Sequence, residues 1–315
     1  MLGMMFPGQG SQAVGMLSSF ADSEPVVRDT FAEASQVLGF DLWQLCQQGP
    51  EEQLGETERT QPAMLAAGVA VWRAWLKHGG LKPAVMAGHS LGEYSALVAA
   101  DAIDFAPSIE LVRFRGQAMQ RAVPSGTGAM AAILGLDDAE IEAACSASAQ
   151  GEVVQPVNYN SPGQLVIAGN VGAVARAMEA CKAAGAKRAV LLPVSVPSHS
   201  ALMKPAAEEL RDRLRTIAVR TPAIRVHSFD AGVYDGADTI RDGLYRQLFN
   251  PVRWSAIVAA MIGAGVQQLC ECGPGKVLAG LARRAPGGRD LAIHAIDGAE
   301  SLAGALATTA GSQAK

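Results

Sequence analysis

This 315-residue chain has no long hydrophobic run, no surplus of either charge and no cysteine framework, and each absence removes a class of protein. The apolar stretch from Ala63 to Trp72 is stopped by Arg73, well short of the roughly 18 residues a membrane span requires. Five cysteines (Cys46, Cys145, Cys181, Cys270, Cys272) are an odd number, and they show neither a C-x-x-C pair nor zinc-ligand spacing. They read as reduced structural thiols, and no metal site is expected. A net charge of -4 gives no global pull toward nucleic acid or an anionic membrane, so neither is expected as a partner. The start, Met1 to Phe6, lacks the basic and apolar regions of an export signal, so a cytoplasmic protein is expected.

What is present is apolar content. With 49% hydrophobic and 18% charged residues the chain can bury a large core, and its length permits two domains. Its 34 glycines are scattered among periodic segments and form no low-complexity tract, which argues against disorder.

Strand patterns are expected at Leu2 to Phe6 and Ala84 to Gly88, and helical ones at about Pro25 to Leu38, Pro62 to Lys77 and Pro107 to Val123. After the break at Pro124 to Gly128 the pattern reads strand (129–134), helix (138–149), strands (153–158 and 164–168), helix (173–184) and strand (188–194). That β-α-β-β-α-β order is the ferredoxin-like split unit. The expected fold is therefore α/β: a larger α/β layer over 1–125 and 196–315, interrupted by a ferredoxin-like subdomain over 126–195. Helices near 201–217, 239–248 and 252–263 and strands near 224–229 and 267–272 complete the larger part.

Gly88-His89-Ser90-Leu91-Gly92 is a G-x-S-x-G motif placed where a strand ends and a helix begins, the context in which a sharp turn exposes a serine hydroxyl. Ser90 is the expected nucleophile. The helix that follows points its free N–H groups at charge developing there, so Leu91 N–H is an expected oxyanion donor. Serine needs a general base, and five histidines are available. His78 at a helix end and His294 in an alternating run read as structural, His227 as a wall residue, and His89 as a supporting neighbour of the nucleophile. His199, between a strand end and a helix, stands where catalytic side chains project and is favoured. The loop Phe6 to Ala13 imitates a dinucleotide fingerprint, but the residues about 20 further on form a helix and not the acid-bearing strand that fingerprint needs. Gln9 N–H fits better as a second oxyanion donor. Gly273-Pro274-Gly275-Lys276 lacks phosphate-loop spacing and reads as structural.

Arg115 shares its helix face with Leu111, Val112, Ala118 and Met119, whereas Glu110, Arg113, Gln117 and Arg121 form the polar stripe. A guanidinium on the core side needs a partner, either an internal acid or the carboxylate of a ligand.

Together Phe6 to Gln12, Gly88 to Tyr94, Asn158 to Gln164, Val196 to His199, Gln247 to Val252 and Gly273 to Lys276 resemble the malonyl-CoA:acyl carrier protein transacylases over almost the whole chain. The resemblance implies that the larger layer is a hydrolase-like parallel-sheet domain. It also implies transfer of a malonyl group from coenzyme A to the carrier's phosphopantetheine thiol through an acyl-serine, in fatty acid biosynthesis, with malonyl-CoA as substrate and no cofactor. It implies Ser90 and His199 as a dyad, the Gln247 carbonyl as the group orienting His199, and Gln9 and Leu91 as the oxyanion hole. Arg115, with His89 nearby, would hold the malonyl carboxylate. Asn160, Gln164, Lys187 and Arg188 would meet the phosphopantetheine arm or its carrier. Acyl carrier protein is the expected partner, and a monomer is expected. His227-Ser228 and Ser200 depart from the family pattern at the site wall. Two rivals stand beside this reading: a serine esterase sharing the elbow, and a non-catalytic docking module for an acidic carrier using Lys187-Arg188.

Overall fold

The computed structural model describes residues 1–124, 126–194 and 196–311. Among the described residues, nine strands form two sheets. β1 (Leu2–Phe6), β2 (Val85–Gly88), β7 (Arg225–His227), β8 (Gln268–Cys272) and β9 (Ala292–Ile296) make a parallel sheet in the order β7-β2-β1-β8-β9. β3 (Gly128–Leu134), β4 (Val154–Ser161), β5 (Gln164–Asn170) and β6 (Arg188–Leu191) make an antiparallel one in the order β4-β5-β3-β6. With helices Asp138–Ser148 and Val171–Ala183 between β3 and β4 and between β5 and β6, that order is the split β-α-β arrangement.

β1 explains the larger layer. It is buried at every residue, and successive side chains point to opposite faces. Met4 and Phe6 join the larger core with the Thr57–Lys77 helix, while Met5 joins the second core with Trp254, Ile257 and Met261. A strand covered on both faces must read as a continuous apolar run, as LGMMF does. Each such side chain contributes about 1.5–3 kcal/mol when fully buried. β3 shows the same alternation with a different outcome. Ala129, Ala131 and Ile133 pack on the two insert helices, whereas Met130 and Ala132 face the opposite side, toward the larger layer.

Several boundaries differ from the sequence reading. The helix expected from Pro62 begins at Thr57, because Thr57, Thr60 and Gln61 are buried against the Phe105–Ala122 helix and tertiary packing extends it past the proline. The helix expected over 201–217 is a short 3-10 turn, Ala201–Met203, followed by Lys204–Leu214 with a proline in its first turn. β6 stops at Leu191 rather than Val194, since Pro193 has no N–H to continue the ladder. Helices Ser18–Ser23, Leu42–Gln48, Glu51–Gly55 and Ala299–Gly311 were not anticipated. The expected boundary residues Ser125 and Ser195 lie outside the described residues. All five cysteines are free and buried. Among the described residues no helix is long and apolar enough to cross a membrane, and no group of three or more His, Cys, Asp or Glu could hold a metal.

The two layers are joined by backbone. Tyr159 N–H donates to Val252 O and Val252 N–H to Val157 O, each at 2.9 Å. Arg253 lies 4.3 Å from the Tyr159 ring centre, and Arg284 donates to Gln164 Oε1 at 2.7 Å. Between the layers lies a cleft lined by Ser90, Arg115 and His199.

Candidate active site

β2 ends at Gly88 and the Gly92–Ala99 helix begins four residues on, so Ser90 sits at the tip of the turn with φ +53°. That conformation costs a non-glycine residue of order 1–3 kcal/mol, and it is over-determined by its surroundings. His89 N–H donates to Phe6 O (3.0 Å), Gly92 N–H to His89 O (2.9 Å) and Glu93 N–H to Ser90 O (3.1 Å). A Cβ at Gly88 would lie 1.9 Å from the Gly92 carbonyl carbon, and one at Gly92 would lie 2.0 Å from Phe6 O. Both glycines of the motif are therefore steric requirements. Gly8 completes the corner, since a Cβ there would meet His89 O at 2.3 Å.

His199 also has a positive φ, +66°, and its N–H is tied to Leu248 O at 3.0 Å. Its Nδ1 donates to the backbone carbonyl of Gln247 (2.7 Å), which leaves Nε2 to accept from the Ser90 hydroxyl at 2.8 Å. The ring is 3% exposed, and burial, helped by the positive charge of Arg115, lowers its pKa to about 3. It is thus neutral at physiological pH and able to take a proton. Of the other histidines, His227, expected as a wall residue, does not line the cleft around Ser90. His78 Nε2 meets Glu24 Oε1 at 2.5 Å at a helix end, His294 lies in β9, and His227 Nδ1 donates to Gly232 O at 3.0 Å away from the cleft.

Arg115, in the Phe105–Ala122 helix, is 1% exposed and has no ion pair among the described residues. Its guanidinium touches three neutral oxygens instead: Gln61 Oε1 (2.9 Å), Gln247 Oε1 (3.0 Å) and Ser90 Oγ (3.4 Å). Burial lowers its pKa from the usual value, though an arginine remains charged. The nearest carboxylate in this network, Glu93, stands one amide away. Gln247 Nε2 donates to Glu93 Oε2 (2.8 Å) and to Ser90 O (3.0 Å), and the Tyr234 hydroxyl donates to Glu93 Oε1. Burial raises the Glu93 pKa to about 7, against the pull of those hydrogen bonds. A charged fork is therefore held beside the nucleophile without a carboxylate of its own, an arrangement that suits an anionic ligand.

The cleft around Ser90 has a volume of about 410 Å³. Gln9, His89, Ser90, Leu91, Arg115, Asn160, Gln164 and His199 all line it, so most of the expected site residues converge there. His89 Nε2 lies 2.9 Å from Asn160 Oδ1, linking the elbow to the insert, and desolvation lowers its pKa. Lys187 and Arg188 are exposed at the start of β6 and do not line the cleft. Gly273-Pro274-Gly275-Lys276, expected to be structural, leads into an element of the cleft wall. The helix after it, Val277–Arg284, contributes Val277, Leu278 and Leu281 to the cleft wall, and its first N–H groups are held by the buried Glu271 carboxylate at 3.0 and 2.7 Å.

Three residues escaped the sequence reading. Gln61 and Tyr234 carry no local signal, since each becomes functional only through a contact with a distant segment. Glu93 did carry one: an acid followed by Tyr94, Ala96 and Leu97 in a helix with no polar face.

The model of the acyl transferase domain family matches residues 4–278. The chain is 60% identical over 281 residues to the malonyl CoA-acyl carrier protein transacylase of Escherichia coli O157:H7, covering 89% of this chain and 91% of that one. Among solved structures it resembles a chain from a structure of a type II PKS acyl carrier protein in complex with its malonyl-transacylase, with TM-score 0.96, 56% identity and coverage of 98% of this chain and 99% of that one. It also resembles an acyl carrier protein S-malonyltransferase from Vibrio cholerae, with TM-score 0.93, 56% identity and coverage of 96% and 99%.

Proposed function

Since the chain belongs to the malonyl-CoA:acyl carrier protein transacylase family, we propose that Ser90 and His199 are the dyad and Arg115 the carboxylate clamp through which it works. The chain is an acyltransferase that moves a malonyl group from coenzyme A to the phosphopantetheine thiol of acyl carrier protein, for fatty acid biosynthesis. The observation that carries the assignment of roles is the buried guanidinium of Arg115, paired only with neutral oxygens and 3.4 Å from the nucleophilic hydroxyl.

In the first half-reaction Ser90 Oγ attacks the malonyl thioester carbon while His199 Nε2 takes the hydroxyl proton. The Gln247 carbonyl stabilises the imidazolium through Nδ1–H, and the amides of Gln9 and Leu91 receive the negative charge on the carbonyl oxygen. Collapse breaks the C–S bond, and His199 returns its proton to the departing coenzyme A thiol. In the second half the carrier thiol gives its proton to His199, attacks the malonyl-serine carbonyl, and Ser90 leaves reprotonated. No oxidation state changes, so the exchange calls for no redox cofactor. Arg115 holds the distal carboxylate, which orients the ester toward the incoming thiol, an advantage of proximity that a disordered water does not share.

Asn160 and Gln164 stand on the insert wall of the cleft, suited to the polar phosphopantetheine arm. Lys187 and Arg188, outside it, would serve the carrier's acidic surface. We take 1–125 with 196–315 and 126–195 as the two domains, and a cytoplasmic monomer as the working form. Intact-mass measurement after brief exposure to malonyl-CoA should show a malonyl adduct on the wild type and none on Ser90→Ala. An adduct that survives Ser90→Ala would reject the assignment. Arg115→Ala should lose most malonyl transfer while retaining acetyl transfer; an esterase would be indifferent.

A further inference from the structure

Gln247 is a four-way junction. Its backbone carbonyl orients His199, its side-chain oxygen accepts from Arg115, and its side-chain nitrogen donates to Ser90 O and to Glu93. Which way that amide faces decides whether Arg115 meets an acceptor or a second donor. Nothing in an amide's shape selects one orientation, so the selection comes from its neighbours: the donor-only Arg115 on the oxygen side, and the Ser90 carbonyl and Glu93 on the nitrogen side. Glu93 accepts from Nε2 at 2.8 Å, is fully buried, and above its pKa of about 7 is ionised and can only accept.

Glu93 is itself held. The Tyr234 hydroxyl occupies its other oxygen, and Tyr234 reaches it by passing directly over Gly243, one turn before Gln247 in the Ala237–Gln247 helix. A Cβ at Gly243 would lie 2.3 Å from that hydroxyl, so the glycine makes the approach sterically possible. Tyr234 is buried, and its N–H is fixed to Val226 O at 3.1 Å beside β7. The stretch from Tyr234 to Gln247 thus closes on the Glu93 carboxylate, about 140 residues away in sequence, and that carboxylate touches neither the dyad nor the expected substrate.

We propose that Glu93, braced by Tyr234, is a positioning residue that locks the Gln247 amide with its oxygen toward Arg115 and thereby sets the enzyme's preference for carboxylated acyl donors. This rests on Arg115 being the carboxylate clamp. The carboxylate accepts at both oxygens, whereas an amide in its place has one donor end, so Glu93→Gln must lose or reverse one of the two contacts. The consequence falls on Arg115, and only donors that use Arg115 feel it fully.

The experiment compares kcat/KM for malonyl-CoA and acetyl-CoA in wild type, Glu93→Gln, Tyr234→Phe, Glu93→Asp and Arg115→Ala, with a thermal melt of each. The malonyl-to-acetyl ratio should fall about tenfold in Glu93→Gln and about threefold in Tyr234→Phe, with partial recovery in Glu93→Asp, which keeps the acceptor. A merely structural role would lower both donors together and leave the ratio unchanged, and that result overturns the proposal. If Glu93→Gln does not fold, Tyr234→Phe alone decides, an unchanged ratio counting against it. Arg115→Ala separates the two failures: an unchanged ratio there rejects the clamp itself, while a changed ratio there with none at Glu93 and Tyr234 rejects only the positioning role.

Discussion

His199, the proposed base, is defined less by its identity than by what surrounds it. A solvated imidazole titrates near 6.5, whereas burial and Arg115 bring His199 to about 3. The depressed value means the unfolded chain binds a proton that the folded chain refuses. The contribution of the neutral ring to stability is complete above pH 6.5 and is lost as pH falls toward 3. Between pH 6.5 and 5 the loss should reach about 2 kcal/mol from this residue. Denaturant unfolding at pH 7.5 and 5 should show wild type losing more stability than His199→Gln by roughly that amount. An equal loss in the two proteins would mean the ring is solvated in the folded state.

Among the elements, the crossing of the Thr57–Lys77 and Phe105–Ala122 helices matters most for selectivity. Arg115 is followed by Gly116, and a Cβ at Gly116 would lie 2.7 Å from Glu58 Cα and 2.8 Å from Thr57 O. The glycine lets the two helices touch along their backbones, and that contact brings Gln61 Oε1 to 2.9 Å from the guanidinium. Gly116→Ala has no flexible neighbour to displace and must part the helices. We expect it to cost about 1–3 kcal/mol, as overpacking does, and to lower malonyl transfer more than acetyl transfer, read by denaturant unfolding and by the ratio of kcat/KM values. Loss of stability with an unchanged ratio would show that Gln61 does not position Arg115. The crossing also shows why the expected start of this helix was late. Proline at a first helical position is a sound local signal, but burial of Thr57, Thr60 and Gln61 against the neighbouring helix overrode it at Pro62.

For the whole molecule, the cleft around Ser90 exists only because the insert is fastened to the parallel-sheet layer. The backbone bridge at Val252 is one fastening, and the Arg284 to Gln164 hydrogen bond (2.7 Å) is another at the cleft edge. Arg284 is exposed, so its removal should change stability by no more than about 1 kcal/mol. It should nevertheless free Gln164 and raise KM severalfold for malonyl-CoA and for acyl carrier protein alike, since both present the same arm to the same wall. A rise confined to the carrier would place Arg284 on the docking surface instead.

Sequence alone determined what depends on neighbours in the chain. The elbow at Gly88 to Gly92 was legible because a strand, two obligatory glycines and a helix N-terminus are local constraints. The split β-α-β unit was legible because each strand alternates toward one core. The core-side placement of Arg115 followed from helical period. Tertiary structure decided what depends on segments that never meet in sequence: that the partners of Arg115 are the amides of Gln61 and Gln247, that Glu93 and Tyr234 stand behind them, and that His199 is stripped of solvent. The physical reason is that desolvation and hydrogen-bond satisfaction are summed over everything packed around a group, and no window along the chain contains that sum.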